Sequence, residues 1–181
     1  MKLRNLVFLM IITISCSDFS KKEQINKVDK LEKELGKLEQ DLMANKIDTL
    51  SGLRSAINSV EIRIKNNLYL DTINMALGKK MDDYKRMRRS LGPIGKSFEQ
   101  LKTGVIEEKE ALKNLKLDIQ NGEGERNLYD QHITFESTKI KQLNTLLISY
   151  KGSKSEAMEA FRRLHKELDS LSMTLINSTN D

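Results

Sequence analysis

The chain has 181 residues, of which 31% are charged and 38% are hydrophobic, with one proline, one cysteine and no tryptophan. This length suits one domain or one domain with an extension, and a composition so poor in helix breakers favours long helices or coiled coil over a mixed core. The formal charge of +5 is too balanced for a nucleic-acid-binding protein, and no basic patch is interleaved with stacking aromatic residues. We therefore expect no nucleic-acid partner.

Residues 1–15 have the pattern of a secretory signal peptide. Lys2 and Arg4 form a short basic start, and residues 6–14 form an apolar region of nine residues. At about 1.5 Å per helical residue this region spans roughly half of the hydrocarbon core of a bilayer, so it predicts a signal peptide and not a membrane span. No other stretch approaches the length of a span. We expect residues 1–15 to be removed and the mature chain to be exported.

The cysteine follows the apolar region directly, at Cys16. The sequence Thr13-Ile14-Ser15-Cys16 resembles the lipobox of bacterial lipoproteins, in which a small residue precedes an invariant cysteine, although Thr13 stands where that motif usually has a leucine-like residue. The resemblance implies cleavage before Cys16 and acylation of its sulfur and amine, and several acyl chains together anchor a protein firmly to a membrane. A single cysteine has no disulfide partner within the chain. The alternative is an ordinary secretory signal with an incidental cysteine.

The residues after Cys16 bear on the compartment. Ser17 is not the aspartate that favours retention of enterobacterial lipoproteins in the inner membrane, and Ser17-Asp18-Phe19 distantly resembles the acidic export tag of Bacteroidota surface lipoproteins. This resemblance implies an outer-membrane lipoprotein that faces either the periplasm or the cell surface. In its general character, the rest of the chain resembles the small helical lipoproteins of unknown function that are common in the Bacteroidota.

A helical hairpin is predicted after a short tether at residues 16–20. Ser20 and Glu23 form a capping box, which indicates the start of the first helix. Two apolar stripes then follow the 3-4 spacing of a coiled-coil seam, and a turn near residues 44–48 separates them. The stripes are Val28, Leu31, Leu35, Leu38 and Leu42, and then Leu50, Leu53, Ile57, Val60 and Ile64.

When these two stripes are paired antiparallel, the numbers of the facing positions have a nearly constant sum of 91 or 92. Facing residues of a hairpin must lie at equal heights, so the constant sum predicts a hairpin over residues 21–90 with a long second helix. A phase slip at Asn66 and Asn67 is expected within that helix. One unbroken helix over the same residues is the alternative.

The C-terminal half predicts a three-helix antiparallel bundle over residues 93–177. Gly92 suits the end of one helix and Pro93 suits the first turn of the next, while residues 121–125 and 151–153 predict two further turns. The three stripes between these points begin at Ile94, Tyr129 and Ala157. Facing positions sum to 248 for the first pair of stripes and to 307 or 308 for the second pair, and residues 178–181 form a frayed tail.

The predicted fold is therefore all-α: an elongated antiparallel helical bundle or coiled coil of about five helices after the signal peptide. Two acidic residues, Glu108 and Glu136, occupy apolar positions of its seams, and His132 lies one turn before Glu136. Di-metal bundles use a Glu-x-x-His pair on each of two helices, and neither glutamate has a histidine at that spacing. We expect these acids to pair with lysines and to fix the register of the seam. The candidate lysines are Lys109, Lys113, Lys139 and those of the second helix.

No motif of a metalloprotease, a serine hydrolase, a nucleotide-binding loop or a calcium-binding EF-hand occurs in the sequence. His165 is expected on a surface face, far in sequence from His132. We therefore expect no enzyme, no cofactor, no metal site and no small-molecule substrate.

The most basic stretch covers residues 79–89. Such a stretch can bind anionic lipid headgroups, a wall polymer or an acidic partner, and the alternative is a solvated face at the cation-rich end of a helix. Its basic residues are Lys79, Lys80, Lys85, Arg86, Arg88 and Arg89. The function we expect is a structural, scaffold or interaction role at the cell envelope, with the membrane and an envelope protein or a second copy as partners. The alternative is a chaperone-like module that grips a client protein or wall polymer.

Overall fold

The computed structural model describes the backbone of residues 2–48, 50–69 and 74–179, and the side chains of residues 19–48, 50–69 and 74–178. This part of the chain is all-α, as the sequence predicts. It contains four α-helices and one short 3₁₀ helix, not about five α-helices. They are α1 (Lys2–Ala44), α2 (Leu50–Asn67), α3 (Met75–Asn121), η1 (Arg126–Leu128) and α4 (Tyr129–Thr179).

The chain forms two compact units, each built from segments that are distant in sequence. Unit 1 comprises Met1–Ala44 and Leu101–Thr145, and unit 2 comprises Asn45–Gln100 and Leu146–Asp181. Unit 1 therefore holds α1, the end of α3 and the start of α4. Unit 2 holds α2, the start of α3 and the end of α4.

The core of unit 1 is made of the predicted apolar stripes of three helical segments. The stripe of α1 is buried against the stripes of α3 and α4, and burial of each such side chain contributes about 1.5–3 kcal/mol. Lys116 Nζ lies 2.6 Å from Asp29 Oδ1 and 2.7 Å from Glu32 Oε2, and Lys109 pairs with Glu39. These ion pairs show that α1 runs antiparallel to α3. The buried residues are Val28, Leu31, Leu35, Leu38, Leu42, Leu101, Val105, Leu112, Leu115, Ile119, Tyr129, Ile133 and Ile140.

The core of unit 2 combines aliphatic and aromatic side chains. The Phe98 and Tyr150 rings pack with centroids 5.8 Å apart, and the Tyr150 hydroxyl donates a 2.7 Å hydrogen bond to the Asn45 carbonyl. Lys154 Nζ donates to the same carbonyl at 2.6 Å, which satisfies the backbone in the turn between α1 and α2. The other buried apolar residues are Ile57, Val60, Ile64, Tyr84, Met87, Leu91, Ile94, Leu147, Ala157, Leu164 and Leu168.

The register predicted between α3 and α4 is confirmed. In unit 2, Phe98 packs on Tyr150, whose numbers sum to 248. In unit 1, Gly104 approaches Leu143 so closely that a Cβ at position 104 would lie 2.7 Å from Leu143 Cδ2.

This register also extends past the predicted helix ends. Tyr84 pairs with His165 and Lys80 pairs with Glu167, so the position sums stay within one of 248. Within unit 2, α3 and α4 therefore remain antiparallel neighbours well beyond the segments in which the sequence predicted that pairing.

The break predicted at residues 91–95 is wrong, because α3 runs through Gly92 and Pro93. A proline inside a helix removes one hydrogen bond and costs about 3 kcal/mol. The apolar stripe keeps its phase across the proline, since Leu91 and Ile94 are both buried, and the packing of that stripe offsets the cost. The two compact units accordingly do not follow the predicted division between residues 90 and 93.

The turn predicted at residues 151–153 is also wrong, because α4 is helical through Gly152. Tyr150 and Ala157 are seven residues apart, which is one heptad, so the stripes before and after Gly152 are in phase. The antiparallel pairing predicted between residues 129–150 and 157–175 does not form. The end of α4 contacts α2 instead, through the ion pair of Arg63 with Asp169.

The long second helix predicted within the hairpin over residues 21–90 is wrong as well. The turn before α2 occurs near the predicted residues, but α1 belongs to unit 1 and α2 to unit 2. The predicted second helix ends at Asn67, where the sequence shows only a phase slip. The Asn74 side chain then accepts a 3.0 Å hydrogen bond from the Leu77 N–H and caps the start of α3.

The predicted loop at residues 121–125 is confirmed. α3 ends at Asn121, and Gly122 and Gly124 follow with φ values of 71° and 74°. This left-handed conformation favours glycine and ends the helix. Tyr129 closes the loop, because its hydroxyl shares its one hydrogen between the carbonyl of Asp118, at 3.0 Å, and the carbonyl of Glu123.

The N-terminal predictions have different outcomes. Ser20 and Glu23 lie inside α1 and not at its start, since nothing in the preceding residues breaks the helix. The side chains of residues 1–15 and of Cys16 lie outside the described residues, as do those of residues 179–181 of the predicted tail. In the portion of the chain that is described, no helix combines the length and the apolar composition needed to cross a membrane.

Candidate functional site

The basic stretch at residues 79–89 divides into an inward and an outward part, because α3 turns Tyr84 and Met87 into the core of unit 2. Lys80 forms an ion pair with Glu167 of α4. Arg88 Nε lies 2.9 Å from Glu61 Oε2 of α2, and both side chains are largely buried. Lys80 and Arg88 therefore hold α3 to its neighbours, which is a structural role.

The outward part consists of Lys79, Lys85 and Arg89, with Arg86 beside them in a local pair with Asp83. The side chains of Lys79, Lys85 and Arg89 are exposed, and the described residues offer them no ion-pair partner. The positive charges of these three residues therefore take no part in the ion pairs that hold the described helices together.

Helix α4 adds three more exposed basic residues to unit 2, namely Arg162, Arg163 and Lys166. The α3–α4 register places position 163 opposite position 85, so the two groups lie at the same height of the unit. We call Lys79, Lys85, Arg89, Arg162, Arg163 and Lys166 the basic face. Within residues 79–89 and 159–167 the exposed acidic residues are Asp82, Glu159 and Glu167, and Glu167 pairs with Lys80. The basic residues therefore remain in excess. Sequence reasoning missed the α4 contribution because it expected a turn at residues 151–153.

The net charge of the chain is concentrated in unit 2. Unit 2 contains 16 Lys and Arg residues against 11 Asp and Glu, while unit 1 contains 15 of each. The whole formal charge of +5 therefore belongs to unit 2, and unit 1 is neutral. Charge asymmetry of this kind is an electrostatic signal for binding to an anionic surface.

A buried polar cluster lies in the core of unit 1. Glu108 is only 1% exposed, and Lys139 Nζ lies 2.8 Å from Glu108 Oε2 and 2.8 Å from Glu136 Oε2. The expected pairing of these acids with a lysine is confirmed, and the lysine comes from α4. Glu108 Oε1 has no hydrogen-bond partner among the described residues. No described residues form a group of three or more His, Cys, Asp or Glu side chains arranged to hold a metal ion, and His132 is exposed.

Burial dominates the electrostatics of this cluster. Desolvation raises the pKa of Glu108, the nearby Lys139 ammonium lowers it, and the Glu136 carboxyl raises it further, so the pKa lies above its usual value of 4.5. For Lys139, burial lowers the pKa, but hydrogen bonds to the two glutamates outweigh burial and the pKa lies above 10.5. At Glu108, burial and the neighbouring Glu136 carboxyl together outweigh the attraction of the lysine. We therefore regard the cluster as a costly device for fixing register.

A second polar cluster holds the end of α4 within unit 2. Arg63 Nε donates a 2.9 Å hydrogen bond to Ser172 Oγ, and the guanidinium also pairs with Asp169. Tyr84, which is fully buried, shares a hydrogen bond with His165 Nδ1, and burial raises the pKa of its hydroxyl. His165 is therefore half-buried and not on an open surface face, and its ring stacks on Phe161 with centroids 4.3 Å apart. No sequence signal predicted these contacts, because they depend on α4 continuing through Gly152.

A cleft of about 310 Å³ lies between residues 20–24 of α1 and the loop before η1. We call the end of unit 1 that contains this loop its turn end. Residues from α1, α3, the loop and α4 line it. They are Ser20, Lys21, Gln24, Ile119, Asn121, Gly122, Arg126 and Tyr129. A smaller cleft of about 150 Å³ lies beside Pro93 in unit 2, between serine side chains of α3 and α4.

Comparison with known proteins identified no relative of this chain. The chain matches no protein-family model, no curated protein and no solved structure.

Proposed function

We propose that this chain is a lipid-anchored protein of the cell envelope with a non-catalytic interaction role, and that its basic face binds an acidic surface of an envelope protein. One observation carries the proposal: α3 divides its basic stretch into residues that hold unit 2 together and residues that the fold leaves unpaired. The unpaired residues lie in the unit that carries the whole net charge. Charge of this kind mainly accelerates association with a partner of opposite sign and selects that partner.

The anchor is the second part of the proposal. Support comes from the sequence, where Cys16 follows the apolar region and the small residue Ser15 directly. An outer-membrane location, on the periplasmic or the surface side, is the location that the residues after Cys16 favour. The 3-4 spacing of the seams is that of a coiled coil, and coiled-coil packing would give the protein the stiffness of a scaffold or spacer.

The basic face is tested by charge reversal. The full chain carrying K79E, K85E and R89E is compared with wild type for binding to immobilised polyglutamate and for crosslinking to neighbouring envelope proteins in cells. We expect the variant to bind polyglutamate at least about tenfold more weakly, since rim charges control association and its salt dependence, and to lose its protein crosslinks.

A variant of equal charge change provides the matched control. Lys30, Lys33 and Lys37 are exposed on α1 of unit 1, and K30E/K33E/K37E should bind like wild type. An equal loss of polyglutamate binding in both variants would show an effect of total charge, and it would contradict the assignment of the binding site to the basic face. If K79E/K85E/R89E lost binding to isolated wall polymer but kept its protein crosslinks, the partner of the basic face would be the polymer and not an envelope protein.

The anchor is tested separately by metabolic labelling with palmitate in cells that express the full chain. Label on wild type that disappears in Cys16→Ala, together with accumulation of the uncleaved precursor in globomycin, is the expected result. Label that persists in Cys16→Ala would contradict the assignment of Cys16.

A further inference from the structure

We infer that the cleft at the turn end of unit 1 binds the phosphate group of an anionic phospholipid at the membrane surface. The inference rests on the proposed anchor at Cys16 for the distance of the cleft from the membrane. The binding of an anion by the lining residues does not depend on the anchor. The juxtaposition that carries it is a pair of cations, Lys21 of α1 and Arg126 at the start of η1, which line one cleft although they are more than a hundred positions apart in sequence.

Hydrogen bonds hold the loop side of the cleft in a defined conformation. Gly122 has a φ of 71°, and its carbonyl accepts a 3.0 Å hydrogen bond from Arg126 Nε. This bond occupies one N–H of the guanidinium and leaves the remaining N–H groups for a ligand. The Tyr129 hydroxyl fixes the same loop by its bonds to the carbonyls of Asp118 and Glu123.

The helix side of the cleft presents neutral polar groups beside Lys21. Gln24 is buried, and its Nε2 donates a 3.1 Å hydrogen bond to Asp130 Oδ2. Lys27 Nζ lies 3.1 Å from the other oxygen of Asp130, so this nearby carboxylate is already neutralised. Hydrogen bonds from Gln24 and Lys27 lower the pKa of Asp130, which keeps that pairing intact at neutral pH.

The charges that line the cleft therefore favour an anion. Lys21 and Arg126 are the charged residues of the lining, and Ser20 and Asn121 add groups able to donate hydrogen bonds. A guanidinium with free N–H groups and an ammonium are the usual protein ligands of a phosphate. A volume of about 310 Å³ suits a headgroup of modest size and falls within the range of small-molecule sites.

The position of the cleft along α1 favours a lipid as the source of that phosphate. Lys21 follows Cys16 by five residues, which is about 7.5 Å along a helix at 1.5 Å per residue. The headgroup layer on each side of the hydrocarbon core is about 5–7 Å thick. An acylated Cys16 would therefore hold the cleft at the level of the lipid phosphates.

The test uses the full chain in micelles of an uncharged sugar detergent, titrated with short-chain phosphatidylglycerol, short-chain phosphatidylcholine and inorganic phosphate. We expect phosphatidylglycerol to bind, phosphatidylcholine to bind at least about tenfold more weakly, and the K21Q/R126Q variant to lose at least about tenfold in affinity for phosphatidylglycerol. K22Q/K33Q is the matched control, since both lysines are exposed on α1 and neither lines the cleft. It should bind like wild type.

Two results would overturn the inference. Equal binding of inorganic phosphate and phosphatidylglycerol would show a free-phosphate site, and an unchanged affinity in K21Q/R126Q would remove the cleft as the site. Since the titration in micelles does not require acylation, its failure is distinguishable from failure of the anchor, which palmitate labelling of Cys16→Ala measures.

Discussion

At the scale of single residues, Glu108 is a charged side chain buried in the core of unit 1, where its burial has a cost. It occupies a core position where leucine would serve the packing, and its carboxylate is balanced by Lys139 and crowded by Glu136. Breaking a buried pair is costly, while replacing it with apolar residues is often neutral or stabilising. We interpret Glu108 as a residue that selects the α3–α4 register, because a shift of either helix would leave its charge unpaired.

The raised pKa of Glu108 gives a pH dependence with a definite sign. A carboxyl whose pKa is higher in the folded state stabilises the fold below its unfolded value of 4.5, and that contribution is lost as the pH rises through the folded value. We predict that Glu108→Gln makes the unfolding free energy less dependent on pH above 4.5, because the amide does not titrate. Urea unfolding at a series of pH values measures this dependence.

Glu107→Gln is the control for that experiment, since Glu107 is the exposed neighbour of Glu108 on the same helix. Its unfolding free energy should follow wild type at every pH. A Glu108→Gln profile with the slope of wild type would show that Glu108 does not titrate differently in the folded state.

The sequence predicted part of this residue-level picture. The position of Glu108 in an apolar stripe was sufficient to predict a lysine partner, because a buried charge must be paired. The contacts of Tyr84 with His165 were not predictable, since a half-buried histidine and a surface histidine follow the same helical spacing. Only the packing of α4 against α3 distinguishes them.

At the scale of the helices, the phase of the apolar stripe decided whether a helix continues through a glycine or proline at positions 92, 93 and 152, whereas α3 ends at Asn121, directly before the left-handed Gly122. The stripe keeps its phase across Gly92, Pro93 and Gly152, and the helix continues at each. The stripe loses its phase near residues 45–49 and 68–74, and the helix ends at both. Packing of a continuous stripe gains several kcal/mol, which exceeds the cost of about 1 kcal/mol for glycine or about 3 kcal/mol for proline.

Two glycines that the sequence places in similar turns should therefore respond in opposite ways to the same substitution. Gly152 lies within α4 and has open space around its Cα, so Gly152→Ala should stabilise the protein by up to about 1 kcal/mol. Gly122 has a φ of 71° and lies against Arg126, so Gly122→Ala should destabilise it by about 1 kcal/mol or more. Thermal unfolding of both variants measures the difference, and destabilisation by Gly152→Ala would indicate a turn at residues 151–153.

At the scale of the whole molecule, the sequence predicted the helical content and the packing of α3 with α4, but not how the other segments combine into two units. The constant-sum test is satisfied by any two stripes of 3-4 spacing that run in opposite directions, so it was met by α1 with α2 and also by α3 with α4. Contacts within the units show the second pairing. The partner of α1 within unit 1 is identified by ion pairs such as Lys109 with Glu39, which the spacing does not contain.

Since each unit draws on both parts of the chain, neither half should fold alone. We predict that residues 1–100 and residues 101–181, produced separately, show no cooperative thermal transition by circular dichroism, because each half lacks segments of both cores. The intact chain provides the reference. A cooperative transition in either half would contradict this prediction. It would mean that the half forms a core by itself, without the segments that the other half contributes to each unit.

The interleaving of the two units also determines the order in which the protein can assemble during synthesis. After α1 has emerged from the ribosome, 101 more residues must follow before Thr145 completes unit 1. At translation rates of about 5–20 residues per second this takes roughly 5–20 s. Until residues 101–121 of α3 emerge, the leucine seam of α1 has no native partner within unit 1, so the nascent chain exposes an apolar seam for longer than a chain of consecutive hairpins would.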